Sequence, residues 1–348
     1  MKKKVKLILL SFIALILTAS TFTSGLSTNM NKSDENNKLM INNNNGELPV
    51  WYVNNKWVYN FEFNFDYSVL TINGGINNME LRVSEIDDQK DEYTVDITGN
   101  LDATLKIAGV IPGGSFTGNV DGYAHFKKST LALKDFYFES QGSYSGIPTD
   151  SVVEGSFSPA FDIFDFPIET SEDQSNPWEA ETSATINGEI TILDIVTQSF
   201  DISGDFTGEE LYLEKEDQYT VPAGTFNCLV IHGNTGPKHG GYSSLYYSDE
   251  VGYLVDIHEK IVDWNGVTAT LDMPLQYTNY DPDNYPPGVP DTPLGEKDVF
   301  LGESYPYTTQ TTDDEGDNIY YLFDWGDEKD SGWIGPYSSG ESVTSSHR

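Results

Sequence analysis

The chain has 348 residues, with 19 Lys+Arg against 55 Asp+Glu for a formal net charge of −36, and it is 38% hydrophobic. A surface this negative repels nucleic-acid phosphates and anionic lipid headgroups, excludes them as partners, and favours solubility and cation binding. Its single cysteine, Cys228, cannot form an internal disulfide, so the fold must be held by a core, and the chain is long enough for two folded units.

At the amino terminus, Lys2, Lys3, Lys4 and Lys6 flank an apolar run from Leu7 to Leu17 that only Ser11 interrupts. Small residues follow at Thr18-Ala19-Ser20. This is the pattern of a secretory signal peptide over residues 1–20, shorter than the ~20 apolar residues a membrane helix needs. No cysteine follows it to carry a lipid anchor, and no later stretch is long and apolar enough to cross a bilayer. Residues 21–47 are rich in Ser, Thr and Asn, too polar to offset chain entropy, and predict a flexible leader.

From Trp51 the hydrophobic period is two. Trp57, Tyr59, Phe61, Phe63 and Phe65 fall on one face of a strand, and Asn60, Glu62 and Asn64 on the other. One face is therefore packed and the other wet. Further strands are predicted around 80–86, 93–99, 101–107, 122–127, 130–133 and 136–140. Turn signals at Asn73-Gly74-Gly75, Asp87-Asp88, Pro112-Gly113-Gly114 and Asp121-Gly122 separate many of them. Asp162–Ile168 and Gln174–Glu181 read as loop or short helix. In the block 184–280, strand-like runs flank Pro222-Ala223-Gly224, where Pro fixes φ and Gly permits positive φ, as a hairpin requires. Tyr242–Tyr247 and Tyr253–His258 flank a turn through Asp249-Glu250-Val251-Gly252. Cys228 lies on a strand face with Phe226 and Val230 and reads as a small buried hydrophobe.

The run Val221-Pro222-Ala223-Gly224-Thr225-Phe226-Asn227-Cys228, with Tyr246-Tyr247-Ser248 and Val251-Gly252-Tyr253-Leu254-Val255, resembles a group of exported domains related to LolA-like lipoprotein carriers. That resemblance covers Tyr219 to Val255. It implies that residues 48–281 form a large curved antiparallel sheet, an open half-barrel able to hold a lipid or other apolar ligand.

Residues 282–293, with Pro282, Pro286, Pro287, Pro290 and Pro293, form a stiff linker and mark a domain boundary. Beyond it, the β-prone run Ile319-Tyr320-Tyr321-Leu322-Phe323 leads into Asp324-Trp325-Gly326-Asp327, a group suited to a tight turn. This order resembles the core of a PKD domain, an Ig-like sandwich of microbial surface proteins, although Glu328 stands where that family usually has Gly. The resemblance implies an extracellular setting. An Ig-like sandwich needs ~80–100 residues and about seven strands, so residues 294–348 read as an incomplete copy whose remaining strands lie further downstream. The predicted fold class is all-β: the curved sheet, then the truncated sandwich.

Candidate chemistry is sparse. His232, His239 and His258 match no metal-ligand spacing, although Asp256 and His258 share a strand face. Ser243-Ser244, His258 and Asp263 supply the residue types of a hydrolase triad without a G-x-S-x-G elbow. Among so many acidic residues, a carboxylate pair at glycosidase separation carries no information. Asp313, Asp314, Glu315 and Asp317 cluster in one loop and suit calcium, against the plainer alternative of a solvated acidic turn. No other cofactor is expected. Trp325 reads as a core plug, and Trp333 with Tyr337 as a candidate sugar-stacking pair. The composite expectation is a non-enzymatic secreted or cell-surface protein with a structural or adhesive role. Its partners would be other surface proteins or glycans. One alternative is an apolar-ligand binder; the other is the non-catalytic part of a longer secreted enzyme. An interior filled by Phe and Tyr favours the structural role, and an open apolar concave face favours ligand binding.

Overall fold

The structure, a computed structural model, describes residues 46–67, 70–107, 111–169, 172–192, 196–233, 242–264, 267–300, 302–327 and 329–348. The predicted signal peptide, most of the leader and His239 lie outside these residues. The chain divides into two compact units, one ending at Asp281 and the other spanning Pro282–Arg348. Among the described residues there are strands, turns and loops and no helix.

The first unit is one 13-stranded antiparallel sheet. Its strands are β1 (Lys56–Tyr67), β2 (Leu70–Asp87), β3 (Glu92–Ile107), β4 (Ile111–Lys127), β5 (Leu133–Tyr144), β6 (Ile147–Phe161), β7 (Trp178–Ile192), β8 (Val196–Val221), β9 (Gly224–Gly233), β10 (Tyr242–Ser248), β11 (Tyr253–Trp264), β12 (Val267–Asp272) and β13 (Leu275–Thr278). Each strand from β1 to β12 pairs with its neighbour in the chain, and β12 returns to pair with β1, from Glu62↔Asp272 to Tyr67↔Val267. After a break at Met273-Pro274, β13 continues along the same edge of β1, with Trp57 opposite Thr278. The curved sheet expected from the sequence is thus carried round to a closed up-and-down barrel, which leaves no long free edge.

The alternation in β1 sets the barrel's polarity. Trp57, Tyr59, Phe61, Phe63 and Phe65 are at most 2% exposed, while Glu62, Asn64 and Asp66 are exposed. Along β1, apolar side chains face inward and polar ones outward, the reverse of a strand whose outer face sits in lipid. A ring of this size is wider than the eight strands whose side chains just fill a barrel, so more material has to enter it. Two non-strand segments, 46–55 and 162–169, do so. Trp51 packs against Trp57 (4.8 Å), Tyr93 (5.2 Å), Phe126 (5.6 Å) and Tyr253 (5.3 Å), so one ring touches β1, β3, β4 and β11. Phe164 and Phe166 pack on Tyr247, each at 5.4 Å. Gly46 and Glu47, at the end of the expected leader, already belong to this plug: Gly46 is buried and its carbonyl accepts the Ile168 N–H at 3.0 Å.

Burying indole and phenol groups requires partners for their polar atoms. Trp51 Nε1 donates to Gly252 O (2.8 Å), Trp57 Nε1 to Val251 O (2.7 Å) and Tyr59 Oη to Leu254 O (2.7 Å). Three deep side chains are thus tied to the β10–β11 turn and the start of β11. Gly252, at φ +64°, is needed twice: that backbone region disfavours a side chain, and a Cβ would lie 2.4 Å from the Tyr280 ring.

Several glycines expected to mark turns sit inside strands instead. Gly74 and Gly75 lie within β2, and Gly113, Gly114 and Gly122 within β4. Here glycine serves close approach. Gly122 faces Phe138 across β4–β5 and Gly155 faces Phe136 across β5–β6. A Cβ on Gly155 would stand 2.3 Å from the Phe136 ring. The rings lie over the neighbouring strand, a device that lets a sheet curve without leaving a gap. The predicted strands 93–99 and 101–107 are likewise one strand, β3, and residues 162–168 are the plug loop rather than a helix.

The second unit holds two small sheets: β14 (Tyr305–Thr309) with β17 (Val343–His347), and β15 (Ile319–Tyr321) with β16 (Ile334–Tyr337). Its buried apolar cluster is Ile319, Tyr321, Phe323 and Val343, with Tyr307, Trp325, Ile334 and Tyr337 packed against it. Part of the proline-rich stretch belongs to this unit. Gly288 N–H donates to Thr312 O (2.9 Å), Asp291 N–H to Gln310 O (2.9 Å) and Leu294 N–H to Thr308 O (2.8 Å).

Candidate functional site

The hydrolase set suggested by residue type is not assembled. Ser243 points into the barrel core at 0% exposure. Ser244 lies on the outer face opposite His258, and the side chain of Asp263 is outside the described set. His232 and His258 are separated by β10, and His232 Nδ1 instead lies 3.3 Å from Ser244 Oγ. Burial holds His232 below the usual imidazole range, so it is neutral at pH 7. Burial also pushes the Cys228 thiol up to about 12, with Glu250 adding to the effect, which makes it inert packing.

The pair Asp256 and His258 is brought together, and two residues that pattern reading missed complete the group. Asp256 and His258 project from β11, Asp272 from β12 and Tyr219 from β8. Asp272 faces His258 in register, and Asp256 is 2% exposed. His258 Nε2 lies 2.6 Å from Tyr219 Oη and 3.2 Å from Asp256 Oδ2, and His258 Nδ1 lies 2.5 Å from Asp272 Oδ1. Tyr219 Oη donates to Asp256 Oδ2 at 3.1 Å. The other Asp256 oxygen accepts the N–H of Ile257 (2.8 Å) and of Met273 (3.2 Å). Tyr246 on β10 stacks on Tyr219 at 4.0 Å and meets the edge of His258 at 5.6 Å. Asp256, then Asp272, raise His258 to about 9 against the cost of burial, so the imidazole is a cation at neutral pH. A base that is already protonated, wedged between carboxylates, is a poor proton acceptor at pH 7, and the group reads as a polar clasp. The only sequence signal for it was the i, i+2 spacing of Asp256 and His258; Tyr219 and Asp272 come from strands whose registers no local pattern announces.

In the second unit the four proposed calcium ligands do not converge. The Asp313 carboxylate is turned into its own loop, where Oδ1 accepts the Asp317 N–H at 2.9 Å, and Asp313 is 6% exposed. Asp314, Glu315 and Asp317 are exposed. Among the described residues, no group of three or more His, Cys, Asp or Glu is arranged to hold a metal ion. Asp324 caps Gly326 N–H (2.9 Å), and Asp327 meets Lys329 (3.0 Å) and His347 (3.2 Å). Trp325 stacks between Phe323 (5.4 Å) and His347 (4.8 Å). Trp333 is 72% exposed, whereas Tyr337 packs on Tyr321 at 6.0 Å.

Inward side chains are buried on both sides of the barrel. Along β1, and at Tyr247, Val251, Val255 and Leu275, inward residues are 0–2% exposed. On β4–β6, Val120, Phe138 and Phe157 are buried as well, beside Gly118, Gly122 and Gly142 on the same face.

No family model matches the chain, and no curated protein matches it. A solved structure described as a "putative lipoprotein" from Parabacteroides distasonis is similar over 67% of this chain and 99% of its own, at 13% identity and a TM-score of 0.28. At that score the likeness carries no argument; the architecture rests on this chain's own strand pairings.

Proposed function

We propose that the protein acts outside the cell, by contact with surface partners rather than by catalysis, with the barrel as a rigid body. The observation that carries this reading is that, among the described residues, the interior along β1 and around the plug is filled. The stripe from Trp57 to Phe65 and the plug around Trp51 and Phe164 occupy the space that a carrier would keep free. The outward polar face and the strong negative charge suit a protein working at a wet, crowded surface. Export is supported by the residue pattern of 1–20, and the PKD-like turn at Asp324–Asp327 agrees with it. The test is fractionation of expressing cells together with binding of the purified protein to intact cells and envelope glycans. Recovery in the envelope or medium with saturable cell binding is expected. Retention in the cytoplasm, or hydrolysis of a peptide or polysaccharide abolished by one substitution within 51–280, would overturn the reading.

A second reading has its own support. The inward wall of β4–β6, where rings lie over glycines, is the surface on which an apolar ligand would rest. A lipid co-purifying in stoichiometric amount, and lost on Val120→Trp, would favour a carrier.

A further inference from the structure

The Tyr219–Asp256–His258–Asp272 group lies next to the β12–β1 pairing that completes the barrel's ring, with Asp272 the register partner of Glu62 on β1. β12 pairs with β11 along one edge and with β1 along the other, and at Met273-Pro274 it breaks before β13 continues along β1. Met273 N–H, at that break, is shared between Ile257 O (3.1 Å) and Asp256 Oδ1 (3.2 Å). The proton inventory of the group closes only with a doubly protonated ring. Nδ1–H donates to Asp272, Nε2–H faces Tyr219 Oη and Asp256 Oδ2, and the Tyr219 hydroxyl donates to Asp256. Remove one proton and the count fails. Tyr219 must then turn its O–H to the bare Nε2, which leaves the buried Asp256 Oδ2 without a donor and facing a lone pair.

We propose that His258 is a proton-operated bolt beside the barrel's closing seam: its imidazolium fastens β8, β11 and β12 together, and loss of the second proton loosens them. The groups that face it are Asp256 on its own strand, Asp272 from β12, Tyr219 from β8 and Tyr246 from β10. Lys215 of β8 lies near Tyr246, and Lys260 follows two residues along β11. Glu62 of β1 is the register partner of Asp272. Because the folded-state value, about 9, lies above the ordinary imidazole value of 6.5, the bolt's contribution is complete below pH 6.5 and is lost as pH rises through 9.

The experiment uses the full chain. Imidazole nitrogen and carbon shifts of His258 are followed by NMR from pH 5 to 10, and melting temperatures are measured over the same range for wild type and His258→Gln. Expected are a ring protonated on both nitrogens at pH 7, a midpoint near 9, and a melting-temperature gap between the two proteins that is constant from pH 5 to 6.5 and shrinks through 9. Should His258→Gln fail to fold, Asp272→Asn keeps the buried Asp256 and must lower the His258 midpoint. A midpoint at or below 6.5 overturns the proposal. So does a gap that does not change with pH, which would make His258 a packing residue only.

Discussion

The two units use the same materials, short turns and alternating aromatic strands, to opposite effect. In the barrel, closure makes every strand from β1 to β12 a neighbour of at least two others, and one buried cluster runs from Trp51 to Leu275. In the C-terminal unit each sheet has two strands, and the fully buried apolar set is Ile319, Tyr321, Phe323 and Val343. Tyr320, Leu322 and Trp333 stay exposed there. The difference lies in topology rather than composition, since both units contain Trp, Tyr and Phe in strand patterns. A closed ring leaves no long free edge and encloses a large interior; two short ribbons leave edges unpaired and share only a small cluster. Stability should therefore be distributed very unequally along the chain.

The largest expected effect is loss of the small unit alone. Phe323→Ala removes one of its few buried side chains and should collapse its dispersed NMR resonances while the barrel's stay in place. Limited proteolysis should report the same inequality without a mutation, trimming the chain upstream of Gly288 and leaving the barrel whole. Equal resistance of the two units would break the comparison.

Next in size is Phe61→Ala. The side chain is 0% exposed and lies 5.5 Å from Phe63 in a filled interior. A cavity there should cost about 3–5 kcal/mol, read as a lower urea midpoint for the barrel with the second unit's transition unmoved. An open, ligand-ready interior at this position would give a much smaller loss.

How much of this was legible in the sequence follows from what each device needs. The β1 stripe was readable because period two over ten residues is a local property, and the hairpin at Pro222-Ala223 because Pro and Gly impose backbone angles by themselves. Ring closure was not readable, since the pairing of Phe63 with Leu271 depends on the summed stagger of all the strands between them. Gly122 was misread as a turn, and the role of Gly155 was not read at all, for a related reason. Gly122 and Gly155 answer to Phe138 and Phe136 on neighbouring strands, not to their own chain neighbours. The clasp was half legible: Asp256 and His258 share a face, but Tyr219 and Asp272 arrive through register.

A third test sharpens the glycine argument. Gly155→Ala places a methyl 2.3 Å from a Phe136 ring that is itself 2% exposed and has little room to move. The expected cost is about 1–3 kcal/mol, measured by urea denaturation. The double variant Gly155→Ala with Phe136→Leu should recover part of it, because the two positions are in contact and their effects do not add. Strictly additive losses would mean that the ring does not depend on the glycine.

The smallest effect concerns Asp313, where the calcium expectation and the observed loop make different demands. In the loop the carboxylate accepts the Asp317 N–H and is nearly buried, so it stabilises the turn with no ion present. Asp313→Ala should then cost the second unit about 1 kcal/mol, and the loss should be the same in chelator and in millimolar calcium. Asp314→Ala, which removes an exposed carboxylate, should be silent in both. If calcium is held by Asp313, Asp314, Glu315 and Asp317, the outcome changes. The ion would have to draw the Asp313 carboxylate away from Asp317 N–H, and affinity would be ~10⁻⁴–10⁻³ M, the range of extracellular calcium modules. Millimolar calcium would then raise the unit's melting temperature, and both substitutions would abolish that rise. The comparison of the two variants in the two buffers therefore separates a self-capped turn from a cation site.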